Sequence, residues 1–455
     1  MILKEKFEQI EKKRANSIHD MYIVAGQLQV SNISPIDSWT FFLWLQKQGI
    51  PSRYILKKSD DFHKEVEHHK DVISLDSFNK GYELLDLDIW ERACAFVVEW
   101  DLGGTEVDYW LRDLPDCRYV FLQHGVIGTC TTNILKHPCH HVYNDVNVFS
   151  EREKNLIEGD TPFNKCFIGG LPRFEFLSKG KTKDSSEKVV FIMFTWRNVF
   201  SKNFEKIFTS EYWKGLTILF SRKEILAAKH NGVRFVVALH HSLLNNVKSQ
   251  PQLENIELIE QGDIAKWINR ADMLITDFSS VSFDFIYQNK PVIYWIPDRN
   301  DSLYEDGSLD RLKIDSALER RCLFFNQADT VDDVIKHLYL YIDNNFQLEE
   351  HKRKIIEPWF DYREGFSKRI YNRIEERLAA ERFGYQSAQL LYEKKVQELS
   401  FQLVQHEDWL REMHATLGNR QKKIQKLRKT RKMLIYLIAF LSIVIITMIL
   451  CVKFL

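Results

Sequence analysis

The sequence predicts an α/β fold of two halves built on parallel sheets, followed by a coiled-coil helix and a C-terminal transmembrane helix. Three observations predict it. Short apolar, β-branched runs recur through roughly the first 375 residues, with helical patterns between them. One polar stretch, Ser178 to Lys188, divides that region into halves of similar size. Beyond residue 385 the pattern changes to heptads and then to an uncharged apolar run.

The candidate strands are Met21-Tyr-Ile-Val, Ala95-Phe-Val-Val, Tyr119-Val-Phe-Leu, Val189-Val-Phe-Ile-Met, Phe235-Val-Val-Ala-Leu, Met273-Leu-Ile-Thr and Pro291-Val-Ile-Tyr-Trp. Runs of four or five residues, apolar on both faces, are what a parallel sheet covered by helices requires. No repeat at a solenoid period is present. The expected units are 1–180, 181–384, a helix at 385–432 and a span at 433–452.

In the third unit, Val396, Leu399, Leu403, His406, Leu410, Met413, Leu417, Arg420, Ile424 and Leu427 alternate by three and four residues. Eight of these ten are apolar, which predicts a coiled coil, most simply a parallel homodimer. A single amphipathic helix on the globular part or on lipid is the alternative. Met433 to Val452 is 20 uncharged residues. At a rise of about 1.5 Å per residue it matches the hydrocarbon thickness of a bilayer.

The formal charge is zero, from 63 Lys+Arg and 63 Asp+Glu, but it is unevenly spread. Arg420, Lys422, Lys423, Lys426, Arg428, Lys429, Arg431 and Lys432 form a block without an acid. Setting these and Lys453 aside leaves 54 bases against 63 acids. A protein that coats nucleic acid is excluded; a local basic patch beside the span is not. By the positive-inside rule that block puts the preceding chain on the cytoplasmic face of the plasma membrane, as a single-pass, tail-anchored protein. Met1 to Glu8 has mixed charges and no apolar core, so no signal peptide is expected. Seven scattered cysteines without CxxC spacing argue against a disulfide framework.

Chemistry is expected at the ends of the apolar runs, where ligands collect in open α/β sheets. In Tyr119-Val-Phe-Leu-Gln-His-Gly-Val, His124 follows a strand and is placed for general-base work near neutral pH; a structural turn histidine is the alternative. Phe167-Ile-Gly-Gly-Leu-Pro-Arg-Phe presents Arg173 after a turn, for an anion or simply for solvent. Arg197 in Thr195-Trp-Arg, and the pair His240-His241, stand after two further strands. The strand Met273 to Thr276 leads to Asp277 and then Ser279-Ser280, which are read as the capped start of a helix and a cradle for phosphate. A serine-capped helix without a ligand is the alternative. His137-Pro-Cys-His-His141, with Cys130 nearby, fits no zinc spacing, and no metal is expected.

LITDFSSVSFDF followed by NKPVIYW resembles the signature of the CDP-glycerol glycerophosphotransferases, the teichoic acid primases and polymerases. QHG, GLPR, FTWR and LHH stand in that family's order for its (W/Q)HG, GxPR, PTWR and LHP, and the likeness covers roughly residues 90 to 375. It implies a GT-B-like fold, with two Rossmann-type domains facing across a cleft: an acceptor and base domain, then a nucleotide-donor domain. It implies that an acceptor hydroxyl attacks the β-phosphorus of a donor such as CDP-glycerol and that CMP leaves, with no cofactor beyond this co-substrate. His124 matches the family's proposed base and His240 its second histidine. Asp277, Ser279, Ser280 and Asp284 match the stretch that contacts the donor, and Arg173 and Arg197 would offset charge on the phosphoryl group.

Two departures bear on this. LHH replaces LHP, so His240 or His241 could fill the role, and the residues after His-Gly lack the Thr-Pro-Leu-Lys of the polymerases. The leading expectation is a membrane-anchored polyol-phosphate transferase acting on a lipid-linked or glycan acceptor. A glycosyl or sugar-phosphate transferase with another nucleotide donor, and a non-catalytic membrane scaffold, are the other readings.

Overall fold

The apolar runs form the strands of two all-parallel sheets. The structure, a computed structural model, describes residues 2–26, 37–57, 69–75, 79–99, 105–123, 125, 142–158, 165–177, 187–195, 197–200, 204–239, 257–259, 264–304, 311, 326–382 and 400. The chain divides into two compact units, Met1–Leu390 and Leu391–Leu455. The second unit lies outside the described residues apart from Ser400, and with it the expected heptads and the span at 433–452. Among the described residues no helix is long and apolar enough to cross a membrane.

In the first sheet β1 (Met21–Gly26), β2 (Ser52–Lys57), β3 (Val72–Leu75), β4 (Ala93–Val98), β5 (Arg118–Phe121), β6 (Asp145–Val148) and β7 (Cys166–Ile168) are ordered β3-β2-β1-β4-β5-β6-β7. In the second, β8 (Lys188–Met193), β9 (Val233–Ala238), β10 (Glu257–Ile259), β11 (Met273–Thr276), β12 (Val292–Trp295) and β13 (Asn326–Ala328) are ordered β10-β9-β8-β11-β12-β13. The strand order therefore reverses between β1 and β4 in one sheet and between β8 and β11 in the other. Those two reversals are where a doubly wound sheet opens a crevice for a ligand.

Alternation along each strand explains why both faces are apolar. Met21, Ile23 and Ala25 enter one core, while Tyr22 and Val24 enter the core on the opposite face. Val190 and Ile192 are divided from Val189 and Phe191 in the same way. The helices α1 (Ile2–Arg14), α2 (Asp37–Lys47), α3 (Glu106–Asp113), α4 (Glu151–Glu158) and the short α5 (Phe174–Leu177) accompany the first sheet in sequence. The helices α6 (Glu211–Phe220), α7 (Lys223–His230), α8 (Ile264–Arg270), α9 (Ser282–Tyr287), α10 (Val331–Asp343) and α11 (Glu350–Ile356) accompany the second.

The last described helix, α12 (Phe366–Arg382), departs from the expected division. Residues 181–384 were expected to form the second domain, yet Ile370, Ile374 and Leu378 pack with Tyr22 and Val24 of β1, Phe41 of α2 and Leu122 just after β5. Their spacing of four makes one stripe, which packs beside Phe41, Phe42 and Leu45 of α2 on the same face of the sheet. Tyr22 donates to Glu375 at 2.6 Å at the edge of that contact. The two sheets are further joined through one core, in which Phe149, Leu171, Phe174 and Leu177 meet Phe283, Ile286, Tyr287, Trp359 and Phe360.

Candidate active site

At the reversal of the second sheet, Thr276 pairs with Met193, which sets Asp277 beside Thr195. Asp277 is buried and accepts from the Thr195 backbone N–H at 3.0 Å, the Thr195 hydroxyl at 2.9 Å and the Ser279 N–H at 3.1 Å. Arg197 donates to it as well. The same guanidinium grips Asp298 through Nε and Nη2, both at 2.7 Å, and meets the Tyr304 hydroxyl, while the Phe278 and Tyr212 rings lie over it. Burial pushes the Asp298 carboxyl up, but Arg197 and the hydrogen bonds it receives, Tyr304 among them, together hold it below its ordinary range. Arg197 itself stays charged despite its burial, held up by Asp298 and Asp277.

Arg197 was expected to face a phosphoryl group. Instead it is fully buried with its donors taken up by protein, because the strand end turns the side chain inward between two carboxylates. Arg197 and Asp277 together brace the turn that carries the serines. That turn is also arranged differently from the expected capped helix. The helix α9 begins at Ser282 after Val281, and Ser279 and Ser280 lie in the turn before it. The Ser279 carbonyl accepts from Ser282 N–H and the Ser280 carbonyl from Phe283 N–H, while Ser279 Oγ accepts from Val281 N–H at 3.4 Å. Most backbone donors expected to cradle phosphate are therefore engaged within the turn. Both serines stay half-buried.

At the reversal of the first sheet, Asp37 opens α2 and Glu99 follows β4. Glu99 is buried and accepts from Ser38 N–H at 2.8 Å, and the Ser38 hydroxyl meets the Tyr54 hydroxyl at 2.9 Å. These groups crowd Gly26 at the end of β1: a Cβ there would lie 2.3 Å from Tyr54 Oη and 2.4 Å from Ser38 Oγ. Burial, then the neighbouring Asp37 charge, pushes the Glu99 carboxyl up to about 8. Burial raises Asp37 to about 6 even with Arg173 pulling it down.

Arg173 reaches this point because the Gly169-Gly170 turn is fastened from below. Buried Asn147 accepts from Gly169 N–H at 3.0 Å and donates to the Gly170 carbonyl at 2.7 Å. Gly170 has φ +80° and Phe366 packed against it, so a side chain there is excluded. Arg173 then spans the halves. Its backbone N–H donates to Asp37 at 2.9 Å and its Nη1 pairs with the same carboxylate, while Nε donates to Asp284 at 2.8 Å and Nη2 at 3.3 Å. Like Arg197, it is matched by two carboxylates rather than open to solvent, so Asp284 also meets protein here.

His124, His240 and His241 lie outside the described residues, as do residues 130–141. The chain neighbours of His124 are described. Gln123 adopts φ +60°, a left-handed conformation that is costly for a residue with a side chain, and its amide donates to buried Glu153 at 3.1 Å. Gly125 is packed against Ser280, so that a Cβ on Gly125 would lie 2.5 Å from Ser280 Oγ. The His-Gly and Ser-Ser motifs of the two halves therefore meet. No cluster of three metal-binding side chains occurs among the described residues.

Sequence reasoning missed Asp37, Glu99, Asn147, Glu153 and Asp298. Their signal is a partner remote in sequence, which no local motif displays.

A family model described as CDP-Glycerol:Poly(glycerophosphate) glycerophosphotransferase matches residues 46–376. The minor teichoic acid biosynthesis protein GgaB of Bacillus subtilis (strain 168) is 24% identical over 347 residues, covering 73% of this chain and 37% of that protein. The teichoic acid poly(glycerol phosphate) polymerase of Bacillus spizizenii is 26% identical over 155 residues, 30% of this chain and 36% of that protein. The chain thus spans well under half the length of the curated relatives it matches. Among solved structures, the wall teichoic acid polymerase TagF is similar at a TM-score of 0.58 and 15% identity, covering 83% of this chain and 95% of that one. A UDP-N-acetylglucosamine 2-epimerase described as putative, from Listeria monocytogenes, reaches 0.51 at 13% identity, covering 81% and 98%. At these identities the likeness shows the GT-B-type fold alone, and that fold serves more than one chemistry. It is the family match over most of the length that decides: the chain belongs to the CDP-Glycerol:Poly(glycerophosphate) glycerophosphotransferase family.

Proposed function

We propose that the chain transfers a polyol phosphate, glycerol phosphate foremost, from a CDP-activated donor to a hydroxyl of a lipid-linked or glycan acceptor in surface-polymer synthesis. The observation that carries this reading is the approach of Gly125 to Ser280, which joins the His-Gly motif of one half to the Ser-Ser motif of the other. In the proposed step the acceptor oxygen bonds to the β-phosphorus and the bond to the CMP oxygen breaks. His124 takes the acceptor proton, His240 (or His241) assists the departing phosphate, and the Ser279 and Ser280 hydroxyls meet the donor phosphates. Asp277, Arg197, Asp284 and Arg173 support this arrangement from behind. No metal or further cofactor enters the scheme.

The segment 385–432 is proposed to pair two chains. The basic block and the run 433–452 are proposed to hold the chain at the cytoplasmic face of the membrane, each basic residue near the surface adding about 1 kcal/mol with anionic lipid. A donor other than a CDP-polyol is the second reading, favoured by the likeness in fold to an enzyme named for a UDP-sugar.

The test incubates the full chain with CDP-glycerol, CDP-ribitol or nucleotide sugars and lipid acceptors, and measures released nucleotide. CMP from a CDP-polyol is expected. Release only from a nucleotide sugar would establish the second reading instead. The variant His124→Ala should lower turnover by about 10²–10⁴-fold, the usual worth of a general base, with donor binding retained; unchanged turnover would remove its role.

A further inference from the structure

We propose that Asp37, which lies in none of the family motifs, is a positioning residue: with Arg173 and Asp284 it forms a buried clasp that holds the Ser279–Ser280 turn against Gly125.

The three side chains come from three elements. Asp37 opens α2 directly behind β1 of the first sheet, Arg173 leaves the turn after β7, and Asp284 lies in the first turn of α9, behind β11 of the second sheet. All are nearly withdrawn from water, at 1%, 12% and 5% side-chain exposure. Two carboxylates without the cation between them would repel each other in a poorly screened site. The planar fork of Arg173 answers both at once, with Nε and Nη2 on Asp284 and Nη1 and the backbone N–H on Asp37. Lysine has neither the reach in two directions nor the fork.

The clasp bears on the site through rigid, short connections. Asp284 N–H donates to the Val281 carbonyl and Phe283 N–H to the Ser280 carbonyl, so the residue whose carboxylate Arg173 holds lies within one hydrogen-bonded turn of the serines. On the other side of the interface Gly125 touches Ser280. Beside Asp37, Ser38 N–H is tied to Glu99, which fixes the start of α2 to the end of β4. Displacing Asp37 therefore frees Arg173 to follow Asp284 alone, and the two sheet reversals lose their common point.

The catalytic consequence rests on the transferase reading above, so the test has two separate readouts on the full chain. The first is hydrogen–deuterium exchange without substrate, in wild type, Asp37→Asn and Arg173→Lys. Exchange should rise by tenfold or more both at 37–47 and at 279–287 in each variant, while β8 and β9 stay unchanged. The second is CMP release from CDP-glycerol with acceptor. Asp37→Asn should lower kcat by tenfold or more with donor KM within threefold, and Asp37→Glu should recover part of the loss. Unaltered exchange at 279–287 in both variants overturns the clasp, and so does unaltered kcat in an active enzyme. If wild type releases no CMP from any CDP-polyol, the functional reading fails while exchange still decides the clasp.

Discussion

Buried carboxylates distinguish this site at the scale of single residues, and Glu99 carries the most direct consequence. Its proton is held up to about 8 in the folded chain, whereas an unfolded glutamate releases it near 4.5. The folded state therefore binds a proton that the unfolded state has lost. The resulting stability is complete below about 4.5 and disappears as pH rises through about 8. Asp37 acts the same way but has finished by about 6. Above the Asp37 value the remaining loss falls to Glu99, so stability should go on declining as pH rises towards about 8. The variant Glu99→Gln should flatten this slope, measured as the urea midpoint across that range; a slope unchanged in the variant would place the effect elsewhere. Arg197 shows the limit of reading such residues from the sequence. An arginine after a strand looks like an anion contact, and only the positions of Asp277 and Asp298, 80 and 101 residues away, show it committed to protein.

At the scale of elements, legibility follows hydrophobic pattern. Strands β1, β4, β5, β8, β9, β11 and β12 stand out because both faces are apolar. Strand β6, Asp-Val-Asn-Val, does not, because Asp145 is spent on Arg118 and Asn147 on the Gly169-Gly170 turn. The edge strands β10 and β13 are three residues each and leave no run to detect. Which sheet a helix covers is equally invisible, since the stripe on α12 would suit either half. That stripe is testable. Ile374 is fully buried, and Ile374→Ala should cost about 2–5 kcal/mol in chemical denaturation through lost burial and a cavity. A loss under about 1 kcal/mol would mean that α12 contributes little to the first sheet.

For the whole first unit, the two sheets share a core in which Phe149, Leu171 and Phe174 are as buried as the Phe283 and Ile286 they meet. Denaturation followed by exchange at β1–β5 and at β8–β12 should therefore give coincident midpoints; two separate transitions would contradict that shared core. The hydrogen bond from Tyr22 to Glu375 also joins residues 353 apart, and the helix bearing Glu375 covers part of the sheet face that Tyr22 lines. During synthesis the part of that face not covered by α2 must stay unsatisfied until the second sheet has been made and α12 has left the ribosome. At about 5–20 residues per second this is a wait of roughly 20–70 s, in which an apolar sheet face is open to chaperones or to other nascent chains.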